Sequence, residues 1–198
     1  MNTTTRLTKI DWVQAGFRAL TQRGLPGIKA ESIARDLNVS KGSFYWHFKN
    51  INALKVSMLE HWQESATQGV IEYVLASDHD PKQQLRNLLI MSTDTDISTP
   101  YGGDGAEAAI REWARTSEEV EAVVLRVDAT RLEFVSRLLV AAGQPKDLAM
   151  QHANLIYSSL IGLQQLSTQD SVKPQRDLLQ LLTLVLAPIN GDAQESGI

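Results

Sequence analysis

The sequence predicts an all-α protein of about nine helices: an N-terminal helix-turn-helix head of three helices, then a C-terminal helical bundle. Three observations carry this. Apolar residues recur at helical spacing, as in Ile10, Val13, Phe17 and Leu20, and no stretch alternates as a strand does. Pro81, Pro145 and Pro174 each precede a long helix-compatible stretch, the place where a missing N–H is harmless. The segment "NVSKGSFYWHF", Asn38 to Phe48, puts four rings between Phe44 and Phe48. At the chain's aromatic content of 6%, five residues should hold about 0.3.

The elements follow in order. Thr8 and Asp11 form a capping-box pattern that opens the first helix, and Gly24 is placed to end it. A second short helix fits Ala30 to Leu37 and buries Ile33, Ala34 and Leu37. The chain must then turn at Asn38, a residue type that tolerates the left-handed backbone region. Ser40 suits the N-cap of a third helix running from Lys41 to about His47. Further helices are expected near 51–76, 82–97, 104–115, 117–142, 146–168 and 175–187. Pro26, Pro100 and Pro188 fall in loops or just past helix ends, and "DISTPYGGDG", Asp96 to Gly105, reads as the longest loop.

Composition narrows the function. The chain has 198 residues, 43% of them hydrophobic, enough for a real core. It contains no cysteine, which excludes disulfides, thiolate metal sites and cysteine nucleophiles. No signal-type start and no apolar run near the roughly 18 residues of a membrane span is seen, so a soluble, cytoplasmic chain is expected. Net charge is −4, but unevenly spread: residues 1–49 carry +5 and the rest −9. A basic head on an acidic body suits a segment that approaches polyphosphate.

The rings divide by position. Phe44 and Phe48, four residues apart, share a helix face and can close with Val39 over Ile33, Ala34 and Leu37. Tyr45, Trp46 and His47 cannot all be buried on so short a helix. A rim tyrosine or histidine can donate to phosphate oxygen, while Lys41 and Ser43 can reach base edges and Gly42 permits close approach. A small aromatic core with an exposed edge is the plainer alternative.

"ESIARDLNVSKGSFYWHFKNINAL" also resembles the DNA-binding segment of the tetracycline-repressor-like (TetR) family of bacterial transcription regulators. The shared pattern is Ile33-Ala34, Val39-Ser40, Lys41-Gly42, Phe44, Tyr45 and His47-Phe48, within about residues 8–60. Three departures stand out: Asn38 where the family has glycine, Lys29 where it has a capping hydroxyl, and Ile51 where a basic residue is common. Lys49 or Lys55 can supply that last charge. The candidate DNA contacts are Lys29, Glu31, Ser40, Lys41, Gly42, Ser43, Tyr45, Trp46, His47, Lys49 and Lys55. The resemblance implies a DNA-binding domain over 1–50 and a ligand-binding and dimerisation domain over 51–198.

The acidic body carries the remaining expectations. "DLLQLLTLVLAPI", Asp177 to Ile189, is apolar nearly all round and must be covered on every side, by its own core or by a second subunit. The candidate dimer residues are Leu155, Ser158, Ser159, Gly162, Leu178, Leu182 and Val185, and the resemblance likewise implies a homodimer through the last two long helices. Such a pair reads inverted half-sites about 34–36 Å apart, or multiples of that. Candidate pocket residues for a small-molecule effector are Met58, Trp62, Met91, Tyr101, Trp113 and Tyr157, each of which can equally be core. "YGGDGAE" could meet an anion, and Asp94, Asp96, Asp104 and Glu107 cluster in sequence, but His61, His79 and His152 show no ligand spacing. No catalytic arrangement emerges, and the pattern demands no cofactor and no metal. The expected function is a transcriptional repressor that binds a palindromic operator and is released by an effector, with helix 4 as the link. An activator of the same kind, a helical ligand-binding enzyme and a sequence-indifferent architectural binder are the alternatives.

Overall fold

A computed structural model describes residues 7–103, 105–166 and 173–187, all helical or connecting, with no strand among them. The head comprises α1 (Lys9–Arg23), α2 (Ala30–Asp36) and α3 (Lys41–Tyr45), with a short 3-10 turn at Leu25–Gly27. Behind it run α4 (Ile51–Gln63), α5 (Gly69–Ser77), α6 (Pro81–Ser92), α7 (Thr95–Ser98) and α8 (Gly105–Ala114). The long α9 (Glu118–Ala141), α10 (Lys146–Leu166) and α11 (Pro174–Leu186) complete the bundle.

Local chemistry sets these ends. The Asp11 carboxylate accepts from the Thr8 backbone N–H at 2.6 Å and the Thr8 hydroxyl at 2.7 Å, which fixes the start of α1. These Thr8 donors hold the Asp11 carboxyl below the usual carboxylate range. Gly24, at φ 68°, stops α1 while its N–H donates to the Leu20 carbonyl. Asp80 accepts from the Lys82 N–H and stands just before Pro81, so α6 begins with both devices.

Four features differ from the sequence reading. Ile10 lies 38% exposed, and the buried face of α1 is carried by Trp12, Val13, Phe17 and Leu20 instead. The expected helix over 51–76 is interrupted at Glu64–Gln68 by a π turn, in which the Gly69 N–H reaches back to the Glu64 carbonyl. The helix expected to reach residue 97 stops at Ser92, because the Ser92 and Thr93 hydroxyls turn back onto the Leu88 and Leu89 carbonyls. The expected loop at 96–105 is mostly ordered as α7 and a 3-10 turn over Thr99–Tyr101, opened by Asp94 accepting from the Asp96 N–H. The expectations for Asp104, Pro188 and Ile189 lie outside the described residues.

Two apolar cores stack end to end. The first joins Trp12, Phe17, Leu20, Ile33, Phe44 and Phe48 of the head to Leu54, Met58 and Trp62 of α4 and on to Ile110, Trp113 and the first half of α9. The second is built by Val74, Leu85, Leu89, Phe134, Leu139, Ile156 and Leu178. Packing is therefore continuous across residue 50, where the charge changes sign. Gly16 supports this contact: a Cβ there would stand 2.7 Å from Met58 Sδ, so the Met58 side chain lies directly on the bare backbone of α1.

Leu178, Leu182 and Val185 face inward and are buried in this second core. As a dimer surface for a single chain these three are corrected: α11 spends that face on α6 and α10. The outward side of the same two helices shows Leu155 at 56% and Leu184 at 64% exposed, with Ser158 and Gly162 also exposed and Ser159 half-buried. No helix among the described residues is long and apolar enough to cross a membrane.

Candidate nucleic-acid interface and the cavity behind it

Asn38 carries the turn between α2 and α3. It is the one described non-glycine residue with positive φ, at 56°. Its N–H donates to the Arg35 carbonyl and that of Val39 to the Ala34 carbonyl, so the end of α2 is satisfied within the turn. Phe44 and Phe48 then anchor α3. Phe44 meets Trp12 edge-on at 5.5 Å and stacks with Phe48 at 5.6 Å, both fully within the core. Burying each ring contributes about 1.5–3 kcal/mol, a gain kept only while the helix stays docked, so the anchor also fixes the orientation of what projects outward.

What projects outward is Tyr45 and, at 83% exposed, Trp46. Lys41, Gly42 and Lys49 flank them and are exposed, Ser43 and His47 are half-buried, and the His47 ring leans on Trp12 at 6.1 Å. Ser40 does not cap the backbone of α3: its hydroxyl meets that of Ser43 at 3.3 Å. Lys29 stands at the N-cap of α2 and its side chain caps nothing, as its amino-acid type requires. Glu31 pairs with Lys41 in the open. The bond from Lys41 holds the Glu31 carboxyl below its usual range, and Glu31 in turn raises the Lys41 ammonium. Lys55 is turned the other way, with Nζ 5.9 Å from the centre of the Trp113 ring. Asn50 accepts from the Ala53 N–H at 2.9 Å and so starts α4 directly after this surface.

Behind the head lies a cavity of about 250 Å³ between α4, α6, α7, α8, α9 and α10. Of the pocket candidates, Trp62, Met91, Tyr101 and Tyr157 line it. Met58 and Trp113 do not, a correction with a packing cause: Met58 is consumed by the bare face of Gly16, and Trp113 by the core beneath Lys55. Phe17 of α1 lines the cavity as well, so the head itself supplies part of the wall.

The deep wall carries a charge network that sequence reading did not single out. Arg111 makes a two-pronged contact to Asp128 at 2.7 and 2.9 Å and also reaches Glu107. Arg131 donates to Glu107, to the Tyr157 hydroxyl, to Thr67 and to the Ala66 carbonyl inside the π turn. Tyr157 donates to Asp128 at 2.7 Å, and Trp62 Nε1 to Glu107 at 3.1 Å. Two guanidiniums face two carboxylates, so the network is neutral. Burial works against the Asp128 charge, but hydrogen bonds from Arg111 and Tyr157 outweigh it and hold the carboxyl low. Burial pushes the Tyr157 phenol up to about 12. Asp94 and Glu107 both border the cavity, yet among the described residues no three His, Asp or Glu side chains gather closely enough for a metal ion.

The opposite wall is tied to the head. His61 Nε2 and the Tyr101 hydroxyl lie 2.9 Å apart, with Ser65 Oγ 3.2 Å from His61 Nδ1. Tyr101 meets Phe17 edge-on at 5.9 Å, Arg18 of α1 donates to the Pro100 carbonyl at 2.8 Å, and Gly102 (φ 99°) lies against Thr21.

Against this geometry, residues 13–57 match the profile of the bacterial regulatory proteins of the tetR family. That match places a tetR-family segment in the head and the start of α4. Its Escherichia coli K12 relative, named "Probable acrEF/envCD operon repressor", is 33% identical over 87 residues, which span 42% of this chain and 38% of that protein. The "HTH-type transcriptional regulator AcrR" of Shigella flexneri is 21% identical over 148 residues, 75% of this chain and 60% of that one. In fold, a TetR-family transcriptional regulator from Streptomyces coelicolor superposes with a TM-score of 0.73 at 17% identity, covering 90% of this chain and 87% of the other. The TetR-family match thus centres on the head, and the fold likeness extends to the whole bundle.

Proposed function

We propose that the protein is a transcriptional repressor that binds a palindromic operator as a homodimer and is released by a small molecule held in the cavity. The observation that carries this reading is the exposed Tyr45–Trp46 edge of α3, flanked by Lys41 and Lys49 and held on the buried Phe44–Phe48 anchor. A tryptophan so exposed has no stabilising role in the free chain, whereas beside lysines on a short helix it suits a groove. The +5 charge of residues 1–49 steers that edge toward phosphate.

Pairing of two copies uses the outward side of α10 and α11, where Leu155 and Leu184 offer apolar contact and an added Cβ on Gly162 would meet nothing. A two-fold pair sets the distance between two α3 helices, and operator affinity depends on that distance. The cavity is walled by α4, whose N-terminus follows the interface, and by Phe17 of α1. A ligand that shifts these walls changes the spacing, and a coupling of about 1–3 kcal/mol weakens binding some 5- to 150-fold. Repression, as against DNA binding alone, is supported by the naming of the Escherichia coli relative.

The test is fluorescence anisotropy on duplexes selected from random DNA. Trp46→Ala should lower affinity about tenfold or more, within the range of one lost specific contact. Its thermal midpoint should not move, because the ring touches solvent. Unchanged affinity would remove α3 from the interface.

A further inference from the structure

The two walls of the cavity differ in what they can offer a ligand. The two ionised groups of the deep wall that line the cavity, Glu107 and Arg131, are already engaged: Glu107 accepts from Arg111, Arg131 and Trp62, while Asp128 behind them accepts from Arg111 and Tyr157 and the buried Arg111 Nε–H has no partner. Arg131 is spread over Glu107, Tyr157, Thr67 and Ala66. An incoming anion would have to take Arg131 from Glu107, and a cation would have to take Glu107 from two arginines. Either exchange strands a charge out of water. Asp94 also borders the cavity, but it is exposed and its carboxylate starts α7. The remaining lining is mostly apolar, with Phe17, Val70, Leu88, Phe134, Ile156 and Leu160, and its other polar members, Ser92, Ser98 and Gln164, are uncharged. The near wall instead offers neutral polar groups, His61, Tyr101 and Ser65, half-buried or at its edge. Burial lowers the His61 imidazolium, so the ring is uncharged at neutral pH.

We infer that the effector is an uncharged, ring-bearing molecule with one hydrogen-bonding group, and that the His61–Tyr101 pair receives that group. The inference rests on reading the cavity as an effector site. It also gives the ligand a lever. A hydroxyl or carbonyl that engages Tyr101 competes with its bond to His61 of α4, and Tyr101 stands on Phe17 of α1 next to the Arg18–Pro100 tie. The residue that recognises the ligand is therefore one that holds both helices entering the head.

Three probes of one shape test the charge rule by calorimetry at pH 7.5: 2-naphthol, 2-naphthoate and 2-naphthylmethylammonium. The neutral phenol should bind at least about tenfold more tightly than either ion, since neither ion finds an open partner. Tyr101→Phe keeps the ring and removes only the hydroxyl; it should weaken 2-naphthol by about three- to tenfold, the size of one hydrogen bond, and leave the ions unmoved. An ion that equals the phenol, an absence of binding by 2-naphthol, or a Tyr101→Phe variant with unchanged 2-naphthol affinity would each overturn the inference. The effector reading has its own readout. If 2-naphthol binds as expected but leaves the protein on operator DNA, the ligand class stands and release by cavity occupancy fails.

Discussion

The head and the body each contain an ion pair drawn from the same chemistry, and the two pairs have opposite consequences. Glu31–Lys41 lies in the open between α2 and α3. Arg111–Asp128 lies behind the cavity-lining residues Glu107 and Tyr157, which bond to Arg111, with side chains 24% exposed on both sides. In water, a lysine is exchanged between a carboxylate and a phosphate with little net change, because solvent already screens both. Out of water, each guanidinium fixes its carboxylates and cannot be traded. The exposed pair is thus available for binding, and the enclosed network is a scaffold that gives shape to a site it does not itself serve.

The largest effect should come from breaking the scaffold. Asp128→Ala leaves Arg111 enclosed with half its acceptors, and urea unfolding should show a loss of about 2–4 kcal/mol. A loss below about 0.5 kcal/mol would erase the distinction between the two pairs. Next is the phenol at the centre. Tyr157 is raised in the folded protein, so its contribution is whole below the ordinary tyrosine value near 10 and is lost as pH climbs toward about 12. Stability should fall by about 2–3 kcal/mol across that window, and Tyr157→Phe should flatten this part of the profile.

Smaller effects sharpen the head. Lys41→Ala should lower the slope of log affinity against log salt by about one, the mark of one phosphate contact. Lys55→Ala should leave that slope unchanged, because its ammonium rests on Trp113. A slope that falls for Lys55 and holds for Lys41 would reverse the assignment. Glu31→Gln should have the least effect: an unaltered urea midpoint, an unaltered salt slope, and a modest gain in DNA affinity from one negative charge removed.

Local signals made the head legible. Asn38 marks its own left-handed turn, Thr8 and Asp11 their helix start, and Phe44 and Phe48 their shared face, because each depends on neighbours within four residues. Trp12 was missed as the ring beneath Phe44, since it stands one residue outside the stripe that Ile10 suggested. The charge network was harder to see, as it joins α4, α8, α9 and α10 across 17 to 65 positions of sequence. Yet a trace was there. Val124, Val127, Asp128, Arg131 and Val135 follow one helical face of α9, and charged residues on an apolar stripe are a sign of partners across the core. Periodicity also could not decide which side of α11 faces inward, because a helix apolar all round gives no direction. That choice was made by α6 and α10, which cover Leu178, Leu182 and Val185.

The most direct measurement is selection of bound fragments from random double-stranded DNA by the purified protein, followed by footprinting of the winners. Two identical arms presenting Tyr45 and Trp46 should enrich an inverted repeat with half-site centres one or more helical turns apart, and protect both halves together. Enrichment of a single unrepeated site, or uniform recovery of all fragments, would contradict a paired α3 reading the groove.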